Sequence, residues 1–600
     1  MKRVVGVIAG VTVLVTGLVG PVGPTGPVWA LDAAAGAGAY GTAPGVRAVP
    51  DTARPAPWRG RPGRQEISWE PCKRPGSSPG LGSVLPRVAA SGRTRAPGEE
   101  CATIRVPLDY AEPYGQRITI ALNRIRGTVS RDAGHLGALL VNPGGPGGSG
   151  LGLARFVAAR LPRDVAARFD VIGFDPRGVG DSRPAVSCVD PGRYFAPPRP
   201  DNVPRDRAEE DVLVARARQY AEACGNRWSW FLPYLTTENT ARDMDMIRAA
   251  LGEEKISYLG YSYGTYLGAV YATLFPERVR RLVLDSVVDP SGDWYEVNLA
   301  QDLSFQRRQR GFLAWIAEHD DAYRLGRTEE AVTFAWYSMR SRLRERPAGG
   351  IIGPSELDDV YTSGGYSGLL WPALAEAFSA YVHRGETTGL VELFHDQAEV
   401  DAEEENSYAV YLGIECRDSA WPRDWSRWHD DTVKMHAKAP FMAWQNAVYN
   451  APCAFWPVRG GKPVKIGSDR LPPVLLIQAE RDAATPYAGA LRMRDRFPAA
   501  RLLTEVRGGD HGVSLAGNAC VDRRLAAYLR DASRLPRRGA ARGPDATCAA
   551  QPGPRPAVRK PAARTPAPGT VRAHRAQVRT SPGRWTVPGV TDDRHPPGIG

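Results

Sequence analysis

The 600 residues contain no C-x-x-C pair and no histidine–cysteine cluster at metal-ligand spacing, so a zinc site is not expected and no metal or cofactor is invoked. No G-K-[ST] ending follows a glycine-rich loop, which excludes a P-loop phosphate cradle. No segment reaches the ~20 consecutive apolar residues that a membrane span requires. No cysteine precedes Cys72, which argues against a lipid-attached N-terminus. Basic residues are abundant but unevenly placed. Of the net +12, the last fifty residues carry +7, from nine Lys/Arg against two acids. The high isoelectric point is therefore mostly a tail property, and the folded part has no nucleic-acid signature.

What is present suggests an exported, folded chain with a sizeable core, since 43% of its residues are hydrophobic. Two cations in "MKRVVGVIAGVTVLVTGLVG" precede an apolar stretch from Val4 to Val19. Prolines at 21, 24 and 27 end it, and small residues around Ala30 and Ala33–Ala35 offer cleavage sites. That is the order of a secretory signal over residues 1–35, and it implies extracellular localisation without stable membrane insertion. Eight cysteines in such a chain read as four disulfides. Neighbours in sequence suggest Cys72–Cys101, Cys188–Cys224, Cys416–Cys453 and Cys520–Cys548.

Residues 36–66 are rich in Ala, Gly, Pro and Arg, as in a linker or propeptide. From 67 to 290, short apolar strand signals alternate with helical periodicity, the mark of a mostly parallel sheet with helices on both faces. The alternation lapses over 291–469, which is helical and aromatic. Strand signals resume over 470–548, in "PPVLLIQAERDAATP" and "ARLLTEVRGGDHG". A helical lid inserted into an α/β core explains this order better than a separate helical domain, because the core would be incomplete without the later strands. Residues 549–600 read as a disordered basic tail. Binding to acidic cell-wall polymers is the partner that its charge suggests.

The stretch "KISYLGYSYGTYLG" carries G-x-S-x-G through Gly260, Ser262 and Gly264, between a strand signal and a helix signal. A serine hydroxyl needs a base, a carboxylate to orient that base, and donors for the oxyanion. His511 follows "LLTEV" in a glycine-rich loop, whereas His319, His383, His395, His429 and His436 lie in the helical insertion. Asp482 follows "PVLLIQAER"; Asp285 and Asp289, after the elbow strand, are its geometric rivals. Asp175 reads as a structural loop carboxylate near Arg177. The oxyanion donors are assigned to the backbone N–H groups of Tyr263 and of the loop Gly144–Gly148, at Gly145. Ser149 shares that loop but lacks the second glycine of the elbow pattern.

Taken together, "NPGGPGGSG", "FDPRGVGDS", "ISYLGYSYGTYLG", "RRLVLDSVVDP", "IECRDSAWP" and "LLIQAERDAATPY", with the His511 loop, resemble the secreted tripeptidyl aminopeptidases of the Streptomyces type. These belong to the prolyl-aminopeptidase branch of α/β-hydrolase serine peptidases. The resemblance runs from about Trp69 to Cys548. It implies release of short peptides, often tripeptides, from the free N-termini of peptide or protein substrates, with Ser262, Asp482 and His511 as the catalytic set. Ser286 and Asp510 stand where the family often has glycine. A free α-amino group calls for carboxylates, and Glu415 and Asp418 in "GIECRDS" are the candidates. An esterase or lipase with the same triad is the alternative enzyme, and a catalytically dead adhesion fold the non-enzymatic one.

Overall fold

The computed structural model describes residues 65–72, 98–539 and 542–556. The expected signal, nearly all of the linker and most of the basic tail lie outside them. Ten strands form one sheet in the order β1-β2-β3-β5-β4-β6-β7-β8-β9-β10. They are β1 Glu70–Pro71, β2 Glu100–Pro107, β3 Arg117–Ile125, β4 Ala138–Asn142, β5 Asp170–Phe174, β6 Ile256–Tyr261, β7 Val279–Asp285, β8 Val474–Ala479, β9 Ala500–Val506 and β10 Ala546–Ala549. The first three run antiparallel, as does the β3–β5 pair. From β5 across to β10 every pairing is parallel.

Every residue of β4, β6 and β8 is buried. That explains why these strands read as unbroken apolar runs: helices cover both faces, so neither face needs polar side chains. One core unites Leu139, Val141, Leu259, Val283, Leu475 and Ile477 with the helix Ala519–Arg530 through Val521, Leu525 and Leu529. Burying each such side chain contributes about 1.5–3 kcal/mol.

Between β7 and β8 the chain leaves the sheet and forms helices from Trp294 to Phe455. They have their own core, in which Trp336, Tyr361, Phe378 and Phe312 pack with Leu357 and Leu374. The aromatic richness of this region is thus largely its packing. The four disulfides join the four neighbouring pairs expected from sequence, and no described cysteine is free. Among the described residues no helix is long and apolar enough to cross a membrane.

Order continues past the boundary expected for the tail. β10 runs to Ala549, and Pro554 O accepts a hydrogen bond from Trp315 Nε1 at 3.1 Å. Four residues are too few to show a strand period. They are held instead by parallel pairing to β9 and by Asp545, whose carboxylate accepts from Leu502 N at 2.8 Å.

Candidate active site

At the C-terminal end of β6, Ser262 has φ 55° and ψ −128°, a strained conformation for a residue with a side chain. It is held by its neighbours. Ser262 N donates to Asp285 O at 3.0 Å, while Ser262 O accepts from Thr265 N at 2.8 Å and from Thr265 Oγ1 at 2.6 Å. A Cβ on Gly260 would collide with Gly264 O, so only glycine lets the strand and the helix Tyr263–Leu274 cross this closely. The elbow glycines are a steric requirement.

The loop after β9 places His511 beside Asp482, which follows β8. His511 Nδ1 lies 2.9 Å from Asp482 Oδ2 and 3.0 Å from Oδ1, and both side chains are fully buried. Asp482 is itself held by Ala484 N at 2.9 Å, Thr485 N at 3.0 Å and Thr485 Oγ1 at 2.9 Å. With Nδ1–H given to the carboxylate, Nε2 carries the lone pair. That nitrogen is buried and has no hydrogen-bond partner among the described residues. A buried, unpaired acceptor is costly unless a reaction uses it.

Asp285, a rival for the acid, does something else. Its backbone oxygen holds Ser262 N, while its carboxylate accepts from Val513 N at 3.1 Å, Ser514 N at 2.6 Å and Ser514 Oγ. One residue therefore braces both the elbow and the histidine loop. Burial pushes its carboxyl up, opposed by those hydrogen bonds. Ser286 follows it with φ 58°, a left-handed conformation that suits glycine, and its hydroxyl accepts from Gly512 N at 2.8 Å. Asp289 pairs with Arg492 instead.

The glycine-rich loop after β4 passes over the elbow. A Cβ on Gly144 would stand 2.6 Å from Tyr261 O and 2.9 Å from Tyr263 N. Tyr263 is the first residue of its helix, so its N–H has no intrahelical acceptor. Beneath the loop, Ser149 Oγ donates to Asp175 Oδ1 at 2.5 Å, and Asp181 N donates to Oδ2 at 2.8 Å. Burial pushes the Asp175 carboxyl up to about 6. Its partner is thus the loop serine. Arg177 turns away to Asp243 at 2.7 Å.

A cavity of about 590 Å³ opens on Ser262, Tyr263, Gly144 and Gly145 and extends under the lid helices. Glu415 lines it. The residue is 4% exposed, its carboxylate accepts from Asn298 Nδ2 at 3.3 Å, and burial pushes that carboxyl up to about 8. Asp418 does not line the cavity. Its carboxylate is taken by Thr237, through N at 2.9 Å and the hydroxyl, and Thr237 Oγ1 in turn lies 2.6 Å from Tyr263 OH. Asp418 is correspondingly a brace behind the elbow helix, and of the two candidate amine-binding acids Glu415 is the one that lines the cavity. Asn298 carries no sequence signal for this site, and Thr485 only a local one, as a hydroxyl three residues after an aspartate in a turn.

Residues 137–515 match the family model described as alpha/beta hydrolase fold. Over 466 residues the chain is 46% identical to a tripeptidyl aminopeptidase of Streptomyces coelicolor, covering 76% of this chain and 84% of that one. It is 32% identical over 485 residues to the serine protease Hip1 of Mycobacterium tuberculosis, covering 78% and 89%. Carboxylesterase B of Mycobacterium tuberculosis is 30% identical over 483 residues, covering 77% and 91%.

Proposed function

This chain belongs to the alpha/beta hydrolase fold family, and from that premise we propose that it is a serine aminopeptidase that releases short peptides, tripeptides above all, from free N-termini. The observation that carries the reading is the buried His511–Asp482 pair with its unpartnered Nε2, in a chain 46% identical to a tripeptidyl aminopeptidase.

Ser262 Oγ attacks the scissile carbonyl carbon as His511 Nε2 takes its proton. Asp482 holds the imidazole in the required tautomer and stabilises its positive charge. The N–H groups of Gly145 and Tyr263 receive the oxyanion, each such donor being worth roughly 10²–10³ in turnover. The imidazolium then protonates the departing amine, and water hydrolyses the acyl-enzyme. Glu415 is the anchor for the substrate's ammonium group. An ion pair formed with it in a buried cavity restricts attack to a bond a fixed reach from the N-terminus.

The competing reading is an ester hydrolase, favoured by the relative named carboxylesterase B. Paired tripeptidyl anilides, one with a free amine and one N-acetylated, separate the two. The aminopeptidase reading expects hydrolysis of the free substrate and little of the blocked one; equal rates would overturn it. Export is supported by the four disulfides and by the N-terminal sequence order. The basic tail is assigned to acidic cell-wall polymer, and such binding must weaken in high salt and vanish on truncation after residue 556.

A further inference from the structure

Asp510, immediately before the catalytic histidine, is bound by the lid. Its Oδ1 accepts from Arg308 Nη2 at 2.6 Å and from Gly368 N at 2.8 Å. Arg308 lies on the first lid helix, Trp294–Glu318, and Gly368 in the turn after the lid helix Pro354–Tyr366. The next residue is gripped from the same side. His511 N donates to Tyr366 O at 2.8 Å, and the Tyr366 ring meets the imidazole edge-on at 5.5 Å between centroids. The guanidinium of Arg308 lies over Trp371 at 4.5 Å, its side chain only 13% exposed. It packs so closely on the loop that a Cβ on Gly509 would collide with it.

This buried cation is electrostatically coupled to Asp482 as well as to Asp510. Burial pushes the Arg308 guanidinium down, while Asp510 and Asp482 are the carboxylates that pull it back up. His511 acquires positive charge as it takes the serine proton, and an uncompensated cation nearby opposes that step. Asp510 supplies the compensation. Glycine at this position would offer neither the charge nor the fastening.

We propose that Asp510 is a positioning residue: through Arg308 and Gly368 it fastens the His511 loop to the lid, and it cancels the guanidinium charge beside the triad, so that catalysis proceeds at full rate only with the lid seated. This rests on the reading of Ser262, Asp482 and His511 as the catalytic set. The charged and titratable groups around His511 are Asp482 from the turn after β8, Asp285 from the end of β7, Tyr366 and Arg308 from the lid, and Glu505 and Arg481 beyond them.

The test compares full-length Asp510→Asn, Asp510→Gly, Arg308→Met, the Asp510→Asn/Arg308→Met double variant and His511→Asn on a tripeptidyl anilide with a free amine. Losing the fastening is expected to lower kcat about 10- to 100-fold in either single variant, with KM little changed. The acid limb of kcat, which reports the enzyme with its substrate amine already paired to Glu415, is expected to move in opposite directions. It shifts to lower pH by about half a unit or more in Asp510→Asn, where a bare cation remains, and to higher pH in Arg308→Met, where a bare carboxylate remains. The double variant should return the limb to its original position while kcat stays low. Wild-type kcat in both single variants, or limbs that move the same way, would overturn the proposal. If Asp510→Asn does not fold, Asp510→Gly and the double variant carry the comparison. Retained turnover in His511→Asn would instead remove the catalytic reading beneath it, a result distinct from the others.

Discussion

Asp285 holds Ser262 through its backbone oxygen at 3.0 Å and, through its carboxylate, the residues that follow His511. Ser262 and the His511 loop are thus registered by a shared brace from β7, although 249 residues separate Ser262 from His511 in the sequence. In Asp285→Asn one of the two acceptor oxygens becomes an amide nitrogen, whose N–H groups then face either Val513 N or Ser514 N. Losing buried hydrogen bonds to a charged group costs about 1.5–3 kcal/mol each. The variant is expected to melt several degrees lower and to lose activity steeply. Scanning calorimetry together with kcat checks both.

Asp482 contacts the imidazole directly, and on the proposed mechanism its loss should spare the fold and not the rate. Asp482→Asn keeps the shape but presents the wrong group to Nδ1. Turnover is expected to fall by about 10⁴, with substrate binding little changed. A fall of less than tenfold in kcat would show that another group orients His511.

Glu415 gives a pH signature. Its carboxyl, held at about 8 by burial, stays protonated well above the ordinary 4.5. The folded protein therefore holds a proton that the unfolded chain has shed between those values, and this group's contribution to stability falls as pH rises from about 4.5 to 8. An ammonium substrate requires the ionised form, so binding releases a proton below pH 8 and KM should drop as pH rises toward that value. Glu415→Gln is expected to raise KM for free-amine peptides about 10- to 100-fold, from the loss of a charged hydrogen bond, and to flatten both slopes. Initial-rate kinetics across pH 5–9 on free and blocked peptides would measure this. An unchanged KM would dismiss Glu415 as the anchor.

The Cys520–Cys548 disulfide closes 28 residues and ties the edge strand β10 to the helix behind β9. Replacing both cysteines by serine is expected to cost about 3–4 kcal/mol on loop-closure grounds. Hydrogen exchange should show β10 protection lost first, since it is a four-residue edge strand. Uniform loss across the sheet would show that the bridge supports the whole core instead.

The parts readable from sequence were those fixed by sterics or by local order. The elbow glycines are dictated by backbone collision, and the strands doubly covered by helices must be apolar throughout. Asp482 and His511 each stand just past such a strand. The disulfides join neighbours. What could not be read depends on distant partners. Nothing within "GIECRDS" shows that Thr237, 181 residues earlier, takes the Asp418 carboxylate while Glu415 is left facing the cavity. Likewise Asp175 lies two residues from Arg177, yet their partners are Ser149 and Asp243. Ion-pair choice is made by tertiary packing, and adjacency in sequence does not decide it.

The most direct measurement is covalent. Fluorophosphonate-treated protein, digested and sequenced by mass spectrometry, should carry one adduct at Ser262. The adduct should be absent in Ser262→Ala and strongly slowed in His511→Asn, with release of tripeptides from free-amine substrates abolished in step. An adduct elsewhere, or tripeptide release that survives Ser262→Ala, would contradict a serine nucleophile at this elbow.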